Sequence, residues 1–151
     1  MKLYASIYIG SYEIILKVFQ ITQKKHLKEL DCLRTPIDTA QDIYASGQLK
    51  KETVDRICNV LEDMKRTLAL YRLTENYQIY AGSTFTAADN RLLAMEQIKL
   101  RTGMKVLALS NSEHRFMSYR AVASQDNFDA MVSESAAIVD IGGASLQITL
   151  F

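Results

Sequence analysis

The sequence predicts an α/β domain, a mixed five-stranded sheet carrying about three helices, with a β-hairpin appended at its C-terminal end. Three patterns predict it. Residues 3–9, 12–19 and 27–34 are rich in apolar, β-branched and aromatic side chains separated by short turns. From residue 50 onward helical and extended periodicities alternate, and a hairpin with a small-residue turn occurs near each end of the chain. A strand meander followed by α/β alternation favours one mixed sheet with helices packed on it.

Taken in order, residues 3–9 run apolar into Gly10 and Ser11, and residues 12–19 resume the β pattern, which makes a hairpin whose first strand is largely buried. A third strand is expected over 27–34, and the stretch 35–49, with Pro36 and Gly47, should be loop with a helical turn. Residues 50–73 form the clearest helix, because Val54, Ile57, Leu61, Met64 and Leu68 share one face. A strand over 77–81 meets a turn at Gly82 and Ser83. A second helix then runs from about Ala87 to Thr102, with Gly103 as the left-handed residue that stops it. After a strand at 105–109, Ser110 and Glu113 stand at capping-box spacing and open a third helix to about Ser124, whose expected inner face is Phe116, Tyr119 and Ala123. Residues 126–135 read as a polar linker, and 136–140 with 146–151 as a strand pair. The division is a lobe over 1–125, the linker, and a hairpin over 136–151.

Lys plus Arg number 18 against 17 Asp plus Glu, a net charge of +1 that gives no general attraction to DNA or an anionic membrane, so any anion site must be local. Cys32 and Cys58 lack metal-ligand spacing, which argues against zinc or a disulfide framework. The apolar run at the N-terminus breaks at Gly10, too short for a membrane span and without a signal-peptide cleavage pattern, so a cytoplasmic location is expected.

The two hairpins share one plan. Aligning Ile9-Gly10 with Ile141-Gly142 sets Tyr8 opposite Asp140 and Ser11 opposite Gly143. Glycine in such a corner removes the Cβ and permits positive φ, so that main-chain N–H groups can converge on a phosphate oxygen. An aspartate at the end of the preceding strand can hold a metal ion that offsets the phosphate charge. Either hairpin alone is commonly just a tight turn, but the pair, spaced across an α/β unit, resembles the facing phosphate-clamping hairpins of the actin, sugar-kinase and Hsp70 superfamily. That resemblance implies a ribonuclease H-like, actin-like ATPase lobe.

Four segments in order resemble the Ppx/GppA exopolyphosphatase and guanosine pentaphosphate phosphohydrolase family across nearly the whole chain. The stretch from Ile7 to Ser11 is similar to the family's Asp-x-Gly-Ser-Asn-Ser, that from Tyr80 to Asn90 to Ala-Thr-x-Ala-x-Arg-x-Ala-x-Asn, that from Leu109 to Tyr119 to Ser-Gly-x-Glu-Glu-Ala-Arg-Leu, and that from Val139 to Gln147 to Asp-Ile-Gly-Gly-Gly-Ser-Thr-Glu. The resemblance implies hydrolytic release of terminal phosphate from polyphosphate or guanosine pentaphosphate, with magnesium. It implies phosphate-binding roles for Gly10, Ser11, Gly142, Gly143 and Ser145, and a metal role for Asp140.

The carboxylates depart from the pattern. The second glutamate of the family's pair falls at His114 and the glutamate after its triple glycine at Gln147; the acid before the first Gly-Ser falls at Tyr8, and the middle arginine at Thr86. Glu113, His114 and Gln147 therefore remain as the catalytic candidates: imidazole ionises near neutral pH and an amide can orient water. The plain readings stand beside these. Glu113 is first a helix cap, a lone histidine in a first helical turn is more often a surface residue, and Tyr8 fills the room left by an absent acid.

The resemblance further implies a second lobe beyond Phe151, so these residues are expected to hold half a phosphate site as part of a truncated protein. The appended strands should expose an apolar face and drive self-association or domain swapping. Three functions compete: a weakened phosphohydrolase, a catalytically silent relative that binds polyphosphate or guanosine polyphosphate as a regulatory module, and, less well matched by the middle segments, a small-molecule kinase.

Overall fold

The computed structural model describes residues 2–22, 27–125, 127–133, 135–143 and 146–150. Five strands, β1 (Lys2–Ile9), β2 (Glu13–Ile21), β3 (Leu27–Pro36), β4 (Tyr77–Ala81) and β5 (Val106–Ala108), form one sheet in the order β3-β2-β1-β4-β5. The meander β1-β2-β3 is antiparallel, while β4 pairs parallel to β1 and β5 parallel to β4, so the sheet is mixed as expected.

Register fixes which face is the core. Leu16 pairs with Ile7, Ile7 with Ile79 and Ile79 with Val106, and this row is fully buried. Helix α2 (Lys51–Leu70) covers it with Val54, Ile57, Cys58, Leu61, Met64 and Leu68, and α4 (Arg91–Thr102) adds Ala94 and Ile98. Because side chains alternate across a strand, Ser6 and Tyr8 face the other way. That face is half-buried, and it is where the candidate site lies.

A short helix stands where a helical turn was expected within residues 35–49, and another where a turn was expected at Gly82 and Ser83. Helix α1 (Ala40–Ser46) ends at Gly47, whose φ of 71° is left-handed. It is tied down by the buried Asp42, which accepts from the Lys50 amide at 2.9 Å and the Thr53 hydroxyl at 2.5 Å. Burial raises the pKa of this carboxyl, but the Thr53 and Lys50 contacts together outweigh it and leave the group below its ordinary value. Helix α3 (Ser83–Ala87) precedes a break, so the second long helix begins at Arg91 rather than near Ala87. The cause is Asn90, whose side chain both accepts from the Leu49 amide at 2.9 Å and donates to its carbonyl at 2.8 Å.

Helix α5 (Asn111–Ala123) opens with the expected capping box. Its expected inner face holds in part: Tyr119 and Ala123 are half-buried, but Phe116 is 59% exposed, and no residue of the helix is fully buried. The side turned inward includes His114 and Ser118, one helical turn apart, because what α5 meets is polar. That partner is the hairpin β6 (Ala137–Ile141) and β7 (Leu146–Leu150), a separate two-stranded sheet, preceded by the short α6 (Phe128–Val132) where a linker was expected.

The hairpin has two unlike faces. Ile138, Asp140, Gln147 and Thr149 are half-buried on the inner side, while Val139, Ile141, Leu146, Ile148 and Leu150 are exposed on the outer one. A contiguous apolar strand face of this kind favours association. Self-association measured by sedimentation velocity is therefore expected, and Ile148→Lys should shift it to monomer; a wild-type chain that stays monomeric at the highest concentration reached would remove the expectation.

Candidate functional site

The site begins from three strand ends at one level. Ile9 pairs with Ala81 and Ala81 with Ala108, so the parallel strands β1, β4 and β5 finish side by side. The Gly82 amide donates to the Ile9 carbonyl at 3.0 Å and the Leu109 amide to Ala81 at 3.3 Å, carrying the alignment into the loops. Gly10, Gly82 and Ser110 thus share the carboxyl edge of the sheet, the edge at which open α/β sheets bind ligands.

The first corner is held rigidly. The Gly10 amide donates to Glu13 at 2.9 Å, Thr39 Oγ1 donates to the carbonyls of Gly10 at 3.1 Å and Ser11 at 3.2 Å, and Ser11 Oγ lies 2.5 Å from Thr84 Oγ1. The Gly10 amide and the Ser11 hydroxyl are accordingly engaged within the fold. The first corner contributes shape at these two groups rather than free donors.

The second corner meets the first. A Cβ on Gly143 would stand 2.6 Å from Ser11 Cβ and 2.7 Å from Tyr12 Cε2, so only glycine lets the two turns touch. The expectation of facing glycine corners holds in this sense. Gly142 is exposed beside Gly143, and Ser145 lies outside the described residues.

Between the corners and α5 sits a polar cluster. Tyr8 crosses the end of β1 with its hydroxyl 3.2 Å from His114 Nε2. On the other ring nitrogen, His114 Nδ1 is 3.4 Å from Gln147 Nε2 and 3.9 Å from Asp140 Oδ2, and Ser118 Oγ hydrogen-bonds the same Asp140 oxygen. Asp140 and Gln147 are paired across the hairpin, so both reach inward together. Burial first, and the Asp140 charge second, raise the Tyr8 phenol above its ordinary value and keep it protonated. Gln147 Oε1 is buried with no hydrogen-bond partner. Turning the amide over exchanges its two ends, so one terminal atom of Gln147 stays enclosed without a partner in either orientation.

The structure thus brings together His114 and Gln147, two of the three catalytic candidates, with Asp140, the expected metal residue, and sets the third candidate, Glu113, apart from them. Glu113 Oε2 takes the Ser110 amide at 2.8 Å and the Ser110 hydroxyl at 2.7 Å. The amide bond first and the hydroxyl second lower its pKa, which makes it a poor proton acceptor committed to the cap. Missed were Ser118, which its spacing from His114 on one helix face signals, and the roles of Tyr8 and Thr84 as contacts of site residues, which no local pattern announces.

Among the described residues no group of three or more His, Cys, Asp or Glu side chains comes together. Asp140 alone cannot hold magnesium, but that ion is commonly bound through one or two carboxylates together with substrate phosphates, and Asp140 suits such a part.

A model of the Ppx/GppA phosphatase family matches residues 18–151. No curated protein matches the sequence. Among solved structures, the chain is similar to a Ppx/GppA family member from Aquifex aeolicus at 22% identity and TM-score 0.81, covering 99% of this chain and 47% of that one. It is also similar to an exopolyphosphatase from Cytophaga hutchinsonii at 16% identity and TM-score 0.88, covering 99% and 46%. The chain spans about half the length of these structures. At such identities the likeness shows the fold, that of a ribonuclease H-like, actin-like lobe, as the paired hairpins implied. No helix among the described residues is long and apolar enough to cross a membrane.

Two outcomes test this geometry. A Cβ at Gly82 would fall 2.2 Å from the Tyr8 hydroxyl and 2.9 Å from its Cζ. Gly82→Ala should therefore cost about 1–3 kcal/mol in urea unfolding, and Tyr8→Leu in the same chain should recover most of it. Glu113 has a lowered folded pKa, so its contribution is present above the unfolded value and is lost as pH falls through the folded one. The Ser110 amide resonance should report loosening of the α5 start as pH drops through the carboxylate range, and Glu113→Gln should flatten that titration.

Proposed function

This chain belongs to the Ppx/GppA phosphatase family, and on that premise we propose that it is the N-terminal lobe of an exopolyphosphatase-like phosphohydrolase that releases terminal phosphate slowly. The substrate class is linked phosphate, polyphosphate or guanosine pentaphosphate. The observation that carries the proposal is the meeting of the two glycine corners beside Asp140, His114 and Gln147.

In the reaction so proposed, a water oxygen bonds to the terminal phosphorus while the bond to the bridging oxygen breaks. The water proton passes to His114, and orthophosphate leaves a chain shorter by one unit. Gln147, which lines the adjoining cavity, orients the water through its side-chain amide. Magnesium, if carried in on the phosphates, would be held on the protein side by Asp140, where it would offset their charge. The remaining lobe, and a cytoplasmic setting, belong to the same proposal.

A second reading has its own support. Tyr8 stands where the family has an acid, its phenol protonated and bonded to His114, and Glu113 is committed to its cap. A site so arranged suits holding a phosphate chain without cleaving it, as a silent regulatory relative would.

Phosphate release from polyphosphate and guanosine pentaphosphate, assayed with magnesium on the longest chain carrying these residues, separates the two. Low release above a Gly142→Asp control is expected. Changing Tyr8→Asp, Thr86→Arg, His114→Glu and Gln147→Glu together should raise it by about a hundredfold, the scale of positioned acid–base catalysis. Binding retained with no release above the control would decide for the silent reading.

A further inference from the structure

Two cavities open beside the cluster and share Asn111 as a wall. One, of about 330 Å³, is lined by Arg115 and Gln147; the other, of about 410 Å³, by Thr86, Arg91 and Ser110. Among the described residues neither has an acidic lining residue, although the chain carries 17 Asp and Glu. Elsewhere the pattern differs: the cavity containing Arg101 also contains Asp55, with which Arg101 pairs, and that containing Lys65 and Arg66 also contains Glu62. Arg91 and Arg115 make no ion pair among the described residues, and the protein contact of Arg91 is a long one, 3.5 Å to the Ala88 carbonyl.

We infer that these two cavities form an anion subsite continuous with the corner site, in which Arg115 and Arg91 hold successive units of a linear chain of linked phosphates running past Asn111 toward α4. The inference rests on the reading that the glycine corners handle linked phosphate. Its independent support is local chemistry. Thr86, at the position where the family pattern has arginine, turns its hydroxyl onto the Gly82 carbonyl at 2.8 Å and the Ser83 carbonyl at 3.0 Å, and so offers no proton to a ligand. Arg91 lines the same cavity and restores the guanidinium from the first turn of α4. A planar guanidinium suits phosphate oxygens because two parallel N–H groups can engage them at once.

Gln147 joins the first cavity to the corner. It lines that cavity, and its Nε2 lies 3.4 Å from His114 Nδ1 of the corner cluster. The positive charge is thus displaced along the surface rather than lost. A phosphate chain longer than the corner alone can cover would gain from it, and a single phosphate would not.

Calorimetric titration with orthophosphate, inorganic tripolyphosphate, a longer polyphosphate and guanosine triphosphate tests this. The wild-type chain should bind the longer polyphosphate more tightly than orthophosphate. Arg91→Gln and Arg115→Gln should each weaken the longer polyphosphate roughly tenfold, the scale of one charged hydrogen-bonded contact, and leave orthophosphate unchanged, with Arg91→Lys intermediate. Arginine variants that bind the longer polyphosphate like wild type overturn the subsite and leave the corner reading standing if Gly142→Asp still weakens every probe. Loss in the arginine variants with Gly142→Asp unaffected keeps the subsite and overturns the corner reading. Failure of the wild type to bind any probe overturns both, and an effect of Arg91→Gln confined to guanosine triphosphate overturns the phosphate-chain assignment in favour of a nucleoside pocket.

Discussion

Everything chemical in this lobe depends on three parallel strands ending at one level. The pairing of Ile9 with Ala81 and of Ala81 with Ala108 places a glycine corner, a short helix and the capped start of α5 beside one another. That register is not set by the site. It is set on the opposite face, where Leu16, Ile7, Ile79 and Val106 form a buried row that a one-residue slip would turn out to solvent. The core therefore fixes the site, and residues that never approach a ligand hold Tyr8 within reach of His114.

Within that frame Tyr8 is the residue that changes the character of the cleft. An acid there would stand near Asp140, and two carboxylates at close range resist joint ionisation unless a cation lies between them. A phenol removes the repulsion and needs no cation. It also requires space, which is why Gly82 must lack a Cβ and why the hydroxyl has somewhere to go only through His114. Loss of the acid, gain of the ring and the imidazole at 114 are mutually consistent as packing. Chemically they lower the negative charge around the corners, which weakens a metal site and eases approach of an anion.

What the sequence disclosed follows from range. The capping box of Ser110 and Glu113, the left-handed Gly103 and the periodic face of α2 are local, each written within one or two turns of chain, and each appears as read. Helix α1 was legible only as a helical turn and α3 not at all, because seven and five residues carry too little periodicity to stand out. On α5 the place of Phe116 was misjudged for a different reason, while Tyr119 and Ala123 are half-buried as expected. Apolar residues were assigned inward, whereas the helix docks on a polar strand face, and Phe116 lies outward beneath the Arg120 guanidinium at 6.0 Å. The contact of Tyr8 with His114 spans 106 residues, and nothing in either neighbourhood encodes it. The glycine corners were legible because a steric requirement, unlike a packing preference, leaves one residue type.

The hairpin shows how exposure and chemistry arise from one alternation. Asp140 and Gln147 face inward as a cross-strand pair, and period-two geometry then sends Val139, Ile141, Leu146 and Ile148 outward. Shifting the hairpin to bury those apolar side chains on α5 would withdraw the carboxylate and the amide from His114 and Ser118 and leave their polar atoms against hydrocarbon. Burial of apolar area favours the flipped arrangement at about 25 cal/mol per Å². Several buried polar atoms without partners would oppose it, at roughly 1–3 kcal/mol each, and the shift would take Gly143 from its close approach to Ser11 and Tyr12. The outward apolar face is thus the consequence of keeping Asp140 and Gln147 at the site.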